Sequence, residues 1–158
     1  MKHPLRLHLL ALSIALLAGC GAVAAERPAA SETPNVQLSF ETLDGDVQQV
    51  NVDEIWRVRA ASTRDEPAGT IVINYAYERI FVKDTLENVI EKVRGQRDIK
   101  PFTLPSGAPV YIVTGKVIGI NRPIPQQDHQ NSRAVIVMRE GRQQVQETRE
   151  AIRQSLEK

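Results

Sequence analysis

Apolar residues, turn glycines and helix-start residues of this chain recur at a separation of 62 to 64 positions, and that recurrence limits the folds open to it more than any other feature. Phe40, Gly45, Val50, Ile55 and Val58 correspond to Phe102, Gly107, Ile112, Val117 and Ile120 at 62. Ile71, Val72 and Ile73 correspond to Val135, Ile136 and Val137 at 64, and Val82, Thr85, Glu87, Val89 and Val93 to Val145, Thr148, Glu150, Ile152 and Leu156 at 63. The offset changes only inside loop-like segments, where insertions are tolerated. Any two antiparallel meanders share an apolar pattern, but shared turn glycines and Thr-x-Glu helix starts ask for more than that. The chain therefore reads as an α+β fold of mainly antiparallel sheet, built from two related units of about five strands and one helix each, residues 36–95 and 96–158.

Within the first unit, Val36, Leu38 and Phe40 alternate with Gln37 and Ser39, the period of a half-buried strand. Asp44-Gly45 supplies a tight turn, and residues 47–52 and 55–60 read as the next strands. After a loop with Pro67 and Gly69, residues 70–74 and 79–83 form an antiparallel pair. A helix follows, with Asp84 or Thr85 as its cap, Glu87 completing a capping box from Asp84, and Leu86, Val89, Ile90 and Val93 on one face. Gly95 is placed to end it. Burying those four side chains contributes about 1.5 to 3 kcal/mol each before entropy. The second unit carries Arg149 and Arg153 where the first has Leu86 and Ile90, so its helix is expected to be held less firmly. One continuous helix from about Gln143 to the C-terminus is the competing description.

The first 25 residues have a different character. Lys2 and Arg6 precede an apolar run over residues 7–17, the profile of a signal peptide. About 11 residues are too few for a bilayer core that needs about 20. Leu17-Ala18-Gly19-Cys20 resembles the lipobox of bacterial exported lipoproteins, in which the cysteine is acylated and becomes the new N-terminus. Ala22-Val23-Ala24-Ala25 offers a second cleavage reading, with release of a soluble protein. Residues 26–35 read as a linker. The expected address is the periplasmic side of the bacterial envelope, lipid-anchored through Cys20, or otherwise soluble periplasmic or secreted. Cys20 is the only cysteine, so an exported domain has no internal disulfide. Without Lys2 and Arg6 the chain holds 18 basic against 19 acidic residues, and no nucleic-acid partner is expected from that balance.

Leu43-Asp44-Gly45, Val52-Asp53-Glu54-Ile55 and Phe81-Val82-Lys83-Asp84-Thr85 through Val89-Ile90-Glu91-Lys92 together resemble a small flagellar or motility-associated family. Its short chains run strand, glycine turn, strands and helix. The resemblance covers about 50 residues and implies a topology, with no catalytic residue to carry over. Those chains lack an export leader and a clear second copy.

Chemistry is sparse. His3 and His8 fall in the leader, leaving His129 alone in the mature part, too few ligands for a zinc or Cys/His site. Asp128-His129 near Ser132 suggests a triad, but no Gly-x-Ser-x-Gly elbow accompanies it. Acidic pairs at Asp44/Asp46, Asp53/Glu54 and Asp65/Glu66 sit where turns favour Asp for backbone hydrogen bonds. No catalytic residue, metal site or cofactor is assigned. Trp56, Tyr75, Tyr77 and His129 are the candidate binding residues, and the polar connection 121–132 is either a linker or a binding loop. The expectation is a non-enzymatic cell-envelope protein or lipoprotein, a binding or structural module whose partner is an envelope protein or polymer. A hydrolase acting on an envelope component and a small-ligand carrier using a cleft between the units are the alternatives.

Overall fold

A computed structural model describes residues 35–158, so the expected signal peptide, Cys20 and nearly all of the linker lie outside the described residues. Alternating apolar residues build a hairpin first, β1 (Gln37–Glu41) paired antiparallel with β2 (Val47–Asn51). Gly45 turns it at φ 84°, a left-handed value that a Cβ disfavours. A 3-10 turn over Val52–Glu54 leads into β3 (Ile55–Ala60), followed by β4 (Ile71–Tyr75), β5 (Glu78–Val82) and α1 (Leu86–Arg94). The same order then returns: β6 (Ile99–Thr103), β7 (Pro109–Val113), a 3-10 turn over Thr114–Lys116, β8 (Val117–Asn121), β9 (Ala134–Met138), β10 (Arg142–Val145) and α2 (Arg149–Leu156).

The fold is α+β with antiparallel sheets, as the sequence pattern led us to expect, but the sheets do not divide along the two halves. Among the described residues there are three: β1-β2, β5-β4-β3-β7-β6 and β10-β9-β8. The second hairpin adds to the first half's strands through Arg57↔Ile112, Val58↔Tyr111 and Arg59↔Val110. β3 therefore lies at the middle of the largest sheet and buries both faces, with Ile55, Trp56, Val58 and Arg59 all buried.

Two apolar clusters follow from this layering. Phe40, Val50, Val58 and Ile73 pack against Val89, Ile90 and Val93 of α1. Trp56, Phe102, Val110 and Ile136 pack with Ile152 of α2, the single buried residue of that helix. The weaker hold expected for α2 is seen in that difference.

Three local details decide between the alternatives left open by the sequence or refine them. Thr85, not Asp84, caps α1, its hydroxyl accepting from the Asn88 N–H, while Asp84 accepts from the Thr85 N–H and the Asn88 side chain. Gly95 ends α1 in a right-handed conformation, φ −62°, so the glycine is not needed for its conformational freedom there. The continuous helix from Gln143 does not form. Gln143 and Val145 point inward at strand spacing, and Thr148 starts α2 by accepting from the Ala151 N–H. Among the described residues no helix is long and apolar enough to cross a membrane.

Candidate functional site

The connection between the third and fourth strands of each half is organised by one carboxylate. In residues 61–70, Glu66 accepts from the Ser62 and Thr63 N–H groups and is gripped by Arg59 at 2.7 and 2.5 Å, with Arg79 of β5 at 3.5 Å. In residues 122–133, Asp128 accepts from the Ile124 N–H at 2.7 Å, from Arg142 of β10 at 2.5 Å and from Gln144 at 2.8 Å. The Arg59 hydrogen bonds hold the Glu66 carboxyl down to about 2, against a smaller opposing effect of burial. For Asp128 the Ile124 N–H is the main cause of a lowered value.

Beside the second connection lies an open cavity of about 580 Å³, between the β6–β7 turn, residues 127–129 and β10. Its cations are Arg57 and Arg142, and its remaining polar lining is Ser62, Ser106, Gln127, Asp128, His129, Gln143 and Gln144. Arg142 is neutralised by Asp128. Arg57 is not: its guanidinium donates to Asn74 Oδ1 at 3.0 Å and Gln143 Oε1 at 2.5 Å, and lies 4.6 Å from the Trp56 ring. Among the described residues no carboxylate comes within ion-pairing distance of it. Loss of solvent, reinforced by the charge of Arg59, lowers Arg57 to about 10, which leaves it a cation at neutral pH.

The sequence candidates fall in two places. Trp56 is 5% exposed and donates from Nε1 to the Ala76 carbonyl at 3.0 Å, so it is part of the interior. Tyr75 accepts from Gln48 and donates to Glu78, both at 2.8 Å, and burial with the nearby Glu78 raises its hydroxyl above the ordinary value. Tyr77 is 79% exposed on the same β4–β5 turn. His129 stands apart from these three, in the cavity lining. The residues 121–132 are in part that lining and not only a connection.

Asp128, His129 and Ser132 do not form a relay. His129 Nδ1 accepts from the Asn131 N–H, Ser132 donates to Gln144 Oε1, and the Asp128 oxygens are occupied by Ile124, Arg142 and Gln144. Among the described residues no group of three or more His, Cys, Asp or Glu is placed to hold a metal. The residues that sequence reasoning missed are Arg57, Gln143 and Gln144. An arginine within an apolar strand was the available signal for the first.

No family model matches the chain, and no curated protein matches it. Among solved structures it is similar to the LytTr DNA-binding domain of a methyl-accepting/DNA response regulator from Bacillus cereus, at 13% identity and a TM-score of 0.46, over 76% of this chain and 94% of that one. That neighbour is named a DNA-binding domain, so it lends no support to two expectations drawn from the sequence, a cell-envelope binding module and a partner set without nucleic acid, and neither is kept. Net charge alone was too coarse a ground for excluding a polyanion, because it averages over faces of opposite sign. At this identity and TM-score the likeness assigns no ligand to this chain.

Proposed function

We propose that this chain recognises an oxyanion, phosphate or carboxylate, by non-covalent binding at Arg57. The observation that carries the reading is a single one: a partly buried guanidinium, without a carboxylate partner among the described residues, at the edge of a cavity lined by amides and hydroxyls. A desolvated cation is costly unless an opposite charge compensates it, and planar guanidinium matches carboxylate and phosphate oxygens in a bidentate way. Gln127, Gln144, Ser62 and Ser106 supply further polar groups of the kind that position phosphate oxygens.

Isothermal titration calorimetry with inorganic phosphate, citrate and a short single-stranded phosphodiester tests it. Binding of at least one, weakened about tenfold or more in Arg57→Gln, is expected from the loss of a charge-assisted hydrogen bond. Heat from none of the three, or affinity unchanged in Arg57→Gln, would sink it.

Export belongs to the same proposal. The support is the basic start, the short apolar run and Leu17-Ala18-Gly19-Cys20. Mass spectrometry of the mature N-terminal peptide distinguishes acylated Cys20 from a start near Ala25, and an intact Met1 on the cellular protein would remove export altogether.

A further inference from the structure

We propose that the chain assembles head to tail with copies of itself, the β1–β2 hairpin of one copy adding to the β8 edge of the next. This does not depend on the oxyanion site. Its template lies inside the chain, where β7 of the second hairpin sits on β3. β8 holds in the second half the place of β3, with Ile120 standing 62 residues after Val58, yet among the described residues it pairs with β9 alone. β2 holds the place of β7, with Gln49 standing 62 residues before Tyr111, and pairs with β1 alone. Each hairpin is joined to its own half by the same bond: the Lys83 N–H donates to the Glu41 carbonyl, and the Gln146 N–H to the Thr103 carbonyl. One hairpin-on-edge junction is thus made internally, and an unfilled edge and an unfilled hairpin are left at the two ends.

Backbone directions suit the junction. The Met138 N–H donates to the Gly141 carbonyl, so by antiparallel alternation Ile136 also faces β10 while Val135 and Val137 face β8. Their partners Asn121 and Gly119 face back, which turns the N–H and C=O of Ile120 outward. The Val52 N–H donates to the Val36 carbonyl, and the same alternation turns Gln49 outward from β2. Transferring the β3–β7 register places Ile120 opposite Gln49 of the next copy, with Gly119 opposite Val50 and Asn121 opposite Gln48.

Side chains and charge agree. Tyr77 at 79%, Ile118 at 69% and Val47 at 68% are the most exposed large apolar residues among those described. Ile118 holds the place of Trp56, which the β9–β10 turn covers so closely that a Cβ on Gly141 would meet the indole at 3.1 Å. Tyr77 lies on the corresponding turn of the first half, and Val47 on β2 itself. Residues 36–95 hold seven basic and eleven acidic residues, and residues 96–158 ten and six, so the contact sets a positive half against a negative one. An interface of two different surfaces continues into filaments unless it closes into a ring.

Sedimentation velocity on the purified chain, alone and as complementary variants, is the test. Association rising with concentration is expected for the unsubstituted chain. Ile118→Lys blocks the edge and Val47→Lys the hairpin, so each alone is monomeric. Mixing the two leaves one intact edge and one intact hairpin, and a one-to-one dimer that grows no further is the signature. Gln49→Pro and Ile120→Pro, in which the only backbone donors lost are outward N–H groups, serve as a second complementary pair. A chain monomeric at every concentration, assemblies indifferent to these substitutions, or a mixture that stays monomeric would each overturn the proposal.

Discussion

The two connections between third and fourth strands, residues 61–70 and 122–133, use the same device and end in different places. Each folds a loop N–H onto a carboxylate and ties that carboxylate to an arginine of the last strand of its half, Arg79 to Glu66 and Arg142 to Asp128. The first adds a second arginine, Arg59, and its carboxylate is fully enclosed. In the second half the place of Arg59 is taken by Asn121, which is exposed, and the longer loop stands beside an open cavity. One connection encloses its carboxylate between two arginines, and the other shares its carboxylate with the lining of an open cavity. The difference lies in one side chain of charge and reach and in the length of the loop.

Breaking the enclosed pair is expected to have the largest effect. Glu66→Gln leaves Arg59 buried beside a neutral amide, and loss of one partner of a buried pair costs about 3 to 5 kcal/mol. Guanidinium unfolding measures it. Asp128→Asn should cost less, since Arg142 is about half exposed and regains water. Equal losses at the two sites would remove the distinction between a sealed loop and an open one.

Acid separates them next. The folded state holds Glu66 at about 2 against an ordinary 4.5, so it favours the carboxylate. That contribution is complete above about pH 4.5 and is lost as pH falls toward 2, on the order of 3 kcal/mol. Glu66→Gln should flatten the stability curve over that window, while Asp128→Asn should leave most of the slope in place. A slope unaltered by Glu66→Gln would mean that other carboxylates carry the acid sensitivity.

Strands, turn glycines and both helices were legible because each is a local matter: alternation for β1, left-handed φ at Gly45 and Gly107, a one-sided stripe for α1. The addition of β7 to β3 was not legible. A strand with apolar residues on both faces announces that it is central without naming its neighbour, and Arg57 and Arg59 lie on that strand as if on a solvated face. The likeness of Glu66 and Asp128 was hidden by loops of unequal length, since the two are 62 apart where the following strands are 64 apart. They keep the 62-residue separation of the preceding strands, and their shared hydrogen bonds identify them as equivalent. Arg57 became a site residue through Gln143, 86 positions away, a distance that no local pattern spans.

The smallest effect concerns the helices, and it tests whether the two halves differ in how their stability is distributed. Thr85 and Thr148 make the same cap, each accepting a backbone N–H at 3.2 Å, and Thr→Ala at either removes about 1 kcal/mol. Val89, Ile90 and Val93 tie α1 into the larger cluster, so Thr85→Ala should lower the global unfolding free energy by that amount. α2 is held by Ile152, its one buried residue, with Leu156 partly buried against the same cluster, and its unfolding can proceed without opening the sheet. Thr148→Ala should therefore speed amide exchange across residues 152–156 about fivefold, while the denaturant midpoint hardly moves. A midpoint lowered equally by both substitutions would show α2 to be as cooperative with its sheet as α1, and the second half would then be as tightly built as the first despite its smaller apolar stripe.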